Sequence, residues 1–91
     1  MLTRHYSSQA SVAVLMQQVR HLISRRKGVR LHHVRPTTDL LIEFGFEALD
    51  MVDLILEVES HFHFTIPDEL LLLRTPSDFV YFLHEQVAPA A

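Results

Sequence analysis

Apolar residues recur at three- and four-residue spacing along this chain, and that period commits it to helices. Val12, Leu15, Met16, Val19, Leu22 and Ile23 fall on one helical face, while Gln17, Gln18, Arg20, His21 and Arg25 fall on the other. No segment shows the two-residue alternation of a half-buried strand. Ser11 is placed to cap this first helix. The basic run Arg25, Arg26 and Lys27 suits the negative helix C-terminus, and Gly28 is a natural stop.

A second helix is predicted over Ala48–His61. Its apolar residues Leu49, Val52, Ile55, Leu56 and Phe62, with Met51, Leu54 and Val58 beside them, predict a broad buried stripe. Glu47 and Asp50 sit in the first turn, where the positive helix end favours carboxylates. Between the two helices lies a long connection, Val29 to Phe46. Pro36 disfavours a helical Arg35, and Thr38 and Asp39 are turn or cap residues. Leu40, Leu41, Ile42 and Phe44 are expected to pin the loop to the core, and Gly45 marks a turn with positive φ. Pro67, followed by Asp68 and Glu69, opens a short third helix, Pro67–Leu73. Thr75 caps a fourth, Pro76–Gln86, with Phe79, Val80, Tyr81, Phe82 and Leu83 in its middle. The expected fold is therefore all-α, an antiparallel bundle of three main helices and one short one. It spans residues 10–87, with a flexible N-terminal tail over 1–9 and a C-terminal tail over 88–91.

Size and composition narrow the function. Ninety-one residues make one small domain, and 48% hydrophobic against 21% charged residues exclude a disordered tail. Without cysteine there is no disulfide framework, thiolate nucleophile or cysteine zinc site. The longest apolar runs, Val12–Met16 and Phe79–Leu83, and the all-leucine run Leu70–Leu73 are far short of the ~20 residues that span a bilayer. Charge is unevenly placed: residues 1–45 hold seven Lys/Arg against two acids, and residues 46–91 hold one against nine. Such polarity implies charged partners.

The stretch Glu43-Phe44-Gly45-Phe46-Glu47-Ala48-Leu49-Asp50-Met51-Val52-Asp53-Leu54 resembles the prosthetic-group site of acyl carrier proteins. The resemblance continues through Glu57–Phe62 and Phe64–Glu69, and resumes at Thr75–Leu83. It implies the four-helix carrier-protein bundle and the family's activity: carrying acyl intermediates as thioesters in fatty-acid, polyketide or similar biosynthesis. It also implies that the chain is not an enzyme. The family's motif is Asp-Ser-Leu, and its serine hydroxyl accepts a 4′-phosphopantetheine arm from coenzyme A. Here the motif reads Glu47-Ala48-Leu49, flanked by Gly45. A methyl group cannot attack phosphorus, so Ala48 is a lost attachment position and no cofactor is expected in this sequence. Ser60 and Ser77 lie elsewhere and offer no substitute. Glu47 for the usual Asp, and Phe46 for the usual small residue, favour natural divergence. The alternative is an ordinary acyl carrier protein captured as a serine-to-alanine variant.

In the family, acids on the second helix meet basic patches of partner enzymes. Carried over, this role falls on Glu47, Asp50, Asp53 and Glu57, and it implies a binding or scaffolding module engaging carrier-recognising enzymes. Asp50, Asp53 and Glu57 lie three and four apart and share a helix face. The family also holds an acyl chain in a cavity that Phe46, Leu54, Leu70, Leu71 and Leu72 would line; a plain packed core is the competing expectation. The basic N-terminal half (Arg20, Arg25, Arg26, Lys27, Arg30, Arg35) raises a different class, a nucleic-acid or membrane adaptor. No recognition helix or interleaved aromatics accompany it, so neither nucleic acid nor membrane insertion is expected. The same cations could pair with the acidic half of a second copy in weak self-association. His32-His33 and His61-x-His63 lack the spacing of a zinc pair, so no metal is expected. No nucleophile–base pair is visible. Lacking a secretory segment and cysteine, the chain is expected to be cytoplasmic, with an organellar home left open.

Overall fold

The computed structural model describes residues 11–63, 65–66 and 73–87. Among these residues there are helices and turns and no strand. The α-helices are α1 (Val12–Lys27), α2 (Leu40–Phe44), α3 (Ala48–Phe62) and α4 (Pro76–Val87), with a single 3-10 turn at Leu31–His33. The three main helices agree with the apolar period to within a residue. The all-α bundle is as expected. α1 packs against both α4 and α3.

Each main helix is bounded as its sequence dictates. Ser11 accepts the Val14 N–H at the start of α1, and Gly28 ends it in the left-handed region at φ 72°. Thr75 caps α4 by accepting the Asp78 N–H (3.1 Å), while the Asp78 carboxylate accepts the N–H groups of Arg74 and Thr75. These reciprocal bonds satisfy donors that the first helical turn leaves without partners.

Leu15, Val19, Leu22 and Ile23 from α1, Met51, Leu54, Ile55 and Val58 from α3, and Phe79, Val80 and Leu83 from α4 form the core, joined by Val34, Leu40, Phe46 and Ile66. Two expectations need correction here. The buried stripe of α3 runs through Met51, Leu54, Ile55 and Val58, whereas Leu49, Val52 and Leu56 are exposed. At about 100° per residue, positions 51, 54, 55 and 58 share one face and positions 49, 52 and 56 another. The helix carries two apolar stripes, and only one packs inward. On α1 and α4, Val12 and Tyr81 also face outward.

The connection between α1 and α3 is more ordered than a pinned loop. Asp39 caps the short α2, its carboxylate accepting the N–H groups of Leu41 and Ile42 at 3.0 Å each. Helical geometry then points Leu40 and Phe44 at the core and turns Leu41 and Ile42 outward, Ile42 to 75% exposure. So Leu40 and Phe44 pin the segment as expected, and Leu41 and Ile42 do not. Thr38 is fully buried with its hydroxyl satisfied: it accepts the Arg35 N–H and donates to the His33 carbonyl. The connection is tied to the base of α4 by Leu40 N–H to Arg74 carbonyl (2.9 Å) and Ser77 N–H to Pro36 carbonyl (3.0 Å). Of the expected Pro67–Leu73 helix, residues 67–72 lie outside the described residues. Leu73 itself is not helical and packs partly buried against the core. The tails expected over 1–9 and 88–91 also lie outside the described residues.

Candidate functional site

The segment Gly45–Leu49 is where the fold turns from the connection into α3. Gly45 sits at φ 67°, as its place in the sequence predicts, and ends α2 with its N–H on the Leu40 carbonyl. Phe46 follows and is 3% exposed; its N–H donates to the same carbonyl (3.1 Å). The aromatic ring anchors the turn in the core. Glu47 is then the N-cap of α3 and Ala48 its first residue, both exposed. Leu49 is 77% exposed. The helix thus begins at the surface, with the Ala48 methyl beside solvent and no hydroxyl at that position.

Asp50 organises this helix start. Its carboxylate accepts the Glu47 N–H at 2.8 Å and lies 3.5 Å from the Lys27 ammonium. Asp50 is held below the usual carboxylate value of 3.8, chiefly by the Glu47 N–H, against desolvation and with help from Lys27 and Arg26. Lys27 in turn sits 5.2 Å from the centroid of the Phe46 ring. One cation from the end of α1 therefore touches both the buried aromatic before Ala48 and the capping acid after it.

The remaining acids of that face are engaged as well. Arg26 donates to Glu57 (3.1 Å) and approaches Asp53 (3.9 Å), and Arg25 reaches the other Glu57 oxygen (3.4 Å). The expected recognition acids Asp50, Asp53 and Glu57 do share a face, and that face is matched by Arg25, Arg26 and Lys27 of the same chain. The cations that suit the C-terminus of α1 thus also face the acids of α3. Glu59 has a different task, accepting the Ile66 N–H at 2.6 Å. Glu47 stays exposed at the N-cap.

Beside the acids lies the outer stripe Leu49, Val52 and Leu56, 77%, 40% and 56% exposed. In the sequence these residues belong to the predicted buried stripe; the signal that separates them is a second, larger apolar set at 51, 54, 55 and 58 on another face of the same helix. Phe46 and Leu54, expected to line an acyl cavity, are both packed in the core cluster. Leu70, Leu71 and Leu72 lie outside the described residues. Of the other basic residues, Arg20 donates to the carbonyls of Val34 and Leu31, and Arg35 pairs with Glu43. Among the described residues no group of three His, Asp or Glu is placed to hold a metal, and no helix is long and apolar enough to cross a membrane.

Residues 17–83 match the family model for the phosphopantetheine attachment site. The chain belongs to the acyl carrier protein family. Among its relatives, an acyl carrier protein of Thermotoga maritima is 29% identical over 79 residues, covering 86% of this chain and 98% of the relative. An acyl carrier protein of Chlorobium phaeobacteroides is 33% identical over 57 residues, covering 63% of this chain and 73% of that protein. Family members are carriers rather than enzymes, and the match spans the turn into α3, the site just described.

Proposed function

We propose that this chain is a carrier-protein module of fatty-acid or polyketide-type biosynthesis that is not loaded at Ala48 and acts by docking on carrier-recognising enzymes. The observation that carries this reading is Ala48 itself. It stands at the exposed first position of α3, where the family's motif places its serine, and it offers a methyl where loading needs an oxygen nucleophile. The residues present do not fit a 4′-phosphopantetheine arm at this position. Described hydroxyls do not replace it: Ser60 is in the last turn of α3, Ser77 is at the base of α4, and the Thr38 hydroxyl is buried and bonded. The docking surface on this reading is the outward face of α3, with Glu47, Asp50, Asp53 and Glu57 beside Leu49, Val52 and Leu56.

One observation supports the second reading, an ordinary carrier whose serine has been exchanged. The helix start has the turn glycine and the Asp50 cap in place, so the turn is formed and the hydroxyl at 48 is what it lacks for loading.

The test is mass spectrometry after incubation with coenzyme A and a broad-specificity phosphopantetheinyl transferase. We expect the chain as written to keep its mass and Ala48→Ser to gain one phosphopantetheine. An adduct on the chain as written overturns the reading at Ala48. A serine variant that folds and stays unmodified overturns the second reading, because the site has then drifted beyond transferase recognition.

A further inference from the structure

The acids of α3 are not waiting for a partner. Three of the four acids within the helix, Asp50, Asp53 and Glu57, face three cations at the end of α1, at 3.1–3.9 Å. The pairs form a strip along the helix, from Lys27 at the capping acid to Arg25 and Arg26 at Glu57. Three charges of each sign close together leave that strip with no net charge, and its field falls off quickly with distance. Long-range steering needs a surplus of one sign. Any partner cation must also displace a resident one to reach these carboxylates. The Arg25 and Arg26 side chains are 68% and 36% exposed, so they can be displaced, but only in exchange for contacts of the same kind.

Apart from the exposed Glu47 at its N-cap, what the face offers without competition is apolar. Leu49, Val52 and Leu56 lie on one side of α3 and remain exposed, outside the core cluster. We propose that Arg25, Arg26 and Lys27 are a built-in counter-surface to the acidic face of α3. The partner that fits is then a protein with an apolar recess for Leu49, Val52 and Leu56 and no surplus of basic side chains around it. This inference rests on the docking reading above and names the chemistry of its partner.

Loading of the Ala48→Ser chain by a phosphopantetheinyl transferase chosen for a basic docking face reads out the masking of the acids. The initial rate is measured from low to high salt, alone and with Arg25→Gln/Arg26→Gln/Lys27→Gln added. Leu56→Ser is measured in parallel, and helicity is checked by circular dichroism. We expect the unsubstituted basic run to give a rate nearly flat in salt. Removing it exposes three carboxylates, raises the low-salt rate about tenfold and makes it fall steeply as salt is added. Leu56→Ser lowers the rate at every salt concentration. Because Lys27 touches Phe46, Arg25→Gln/Arg26→Gln is the second variant, and we expect the same direction with a smaller rise. Loading at the same rate and salt slope with and without the cations overturns the inference and leaves docking intact. A steep salt dependence in the unsubstituted run also overturns it. Failure of every folded serine chain to load removes docking on the transferase, and this inference with it.

Discussion

At the scale of single residues, the two ends of α3 depend on two backbone conformations and one carboxylate. Gly45 and His63 both adopt the left-handed region, at φ 67° and 64°, but only the first is glycine. A side chain there costs about 1–2 kcal/mol. We therefore expect Gly45→Ala to lose about that much in urea denaturation, although a methyl there would touch nothing. His63→Gly, at the C-cap of α3, should gain roughly 1 kcal/mol in the same measurement. Asp50 brings in pH. Its folded value lies below 3.8, so its charge adds stability that is full above that value and is lost as pH falls through the folded one. Asp50→Asn keeps an acceptor for the Glu47 N–H and removes only the charge. Its stability deficit against the parent should be largest near neutrality and vanish at the acid end of a pH series of melting curves. Gly45 was legible in sequence because a glycine before a helix start has few other uses. The Lys27–Asp50 contact was not, because it joins residues 23 positions apart and depends on how two helices cross.

At the scale of elements, α3 shows what periodicity can and cannot say. The spacing of its apolar residues predicted a helix with correct ends, since nearly every choice of stripe gives the same helix. It did not say which stripe is inside, because positions 49, 52 and 56 are spaced as helically as 51, 54 and 58. Packing decides, and mutation should separate the two. Leu54→Ala leaves a cavity in a fully buried position and should lose about 2–5 kcal/mol in denaturant titration. Leu56→Ala should change stability by no more than about 0.5 kcal/mol. The short α2 was missed for a related reason. Five residues make too short a window for a period to emerge, and the nearby Pro36 and Gly45 read as punctuation of a loop. Its cap, Asp39, was visible as a cap residue, but a cap alone does not announce the helix it begins.

At the scale of the whole molecule, the basic first half and acidic second half meet within one chain. The sequence shows the asymmetry, but two opposite charge blocks can close on each other, on another copy or on a partner, and composition cannot choose among these. The fold chooses the first for Arg25, Arg26 and Lys27. Arg74 and Asp39 make a further link at 2.9 Å, between the base of α4 and the segment ahead of α3. The ladder there also includes Leu40 to Arg74 and Pro36 to Ser77 through the backbone. These rungs fasten the approach to position 48 onto the last helix, although the two are far apart along the chain. Any change that pulls the base of α4 away also loosens the segment that leads into the Gly45–Phe46 turn, so the geometry at Ala48 answers to residues well beyond α3 in the chain.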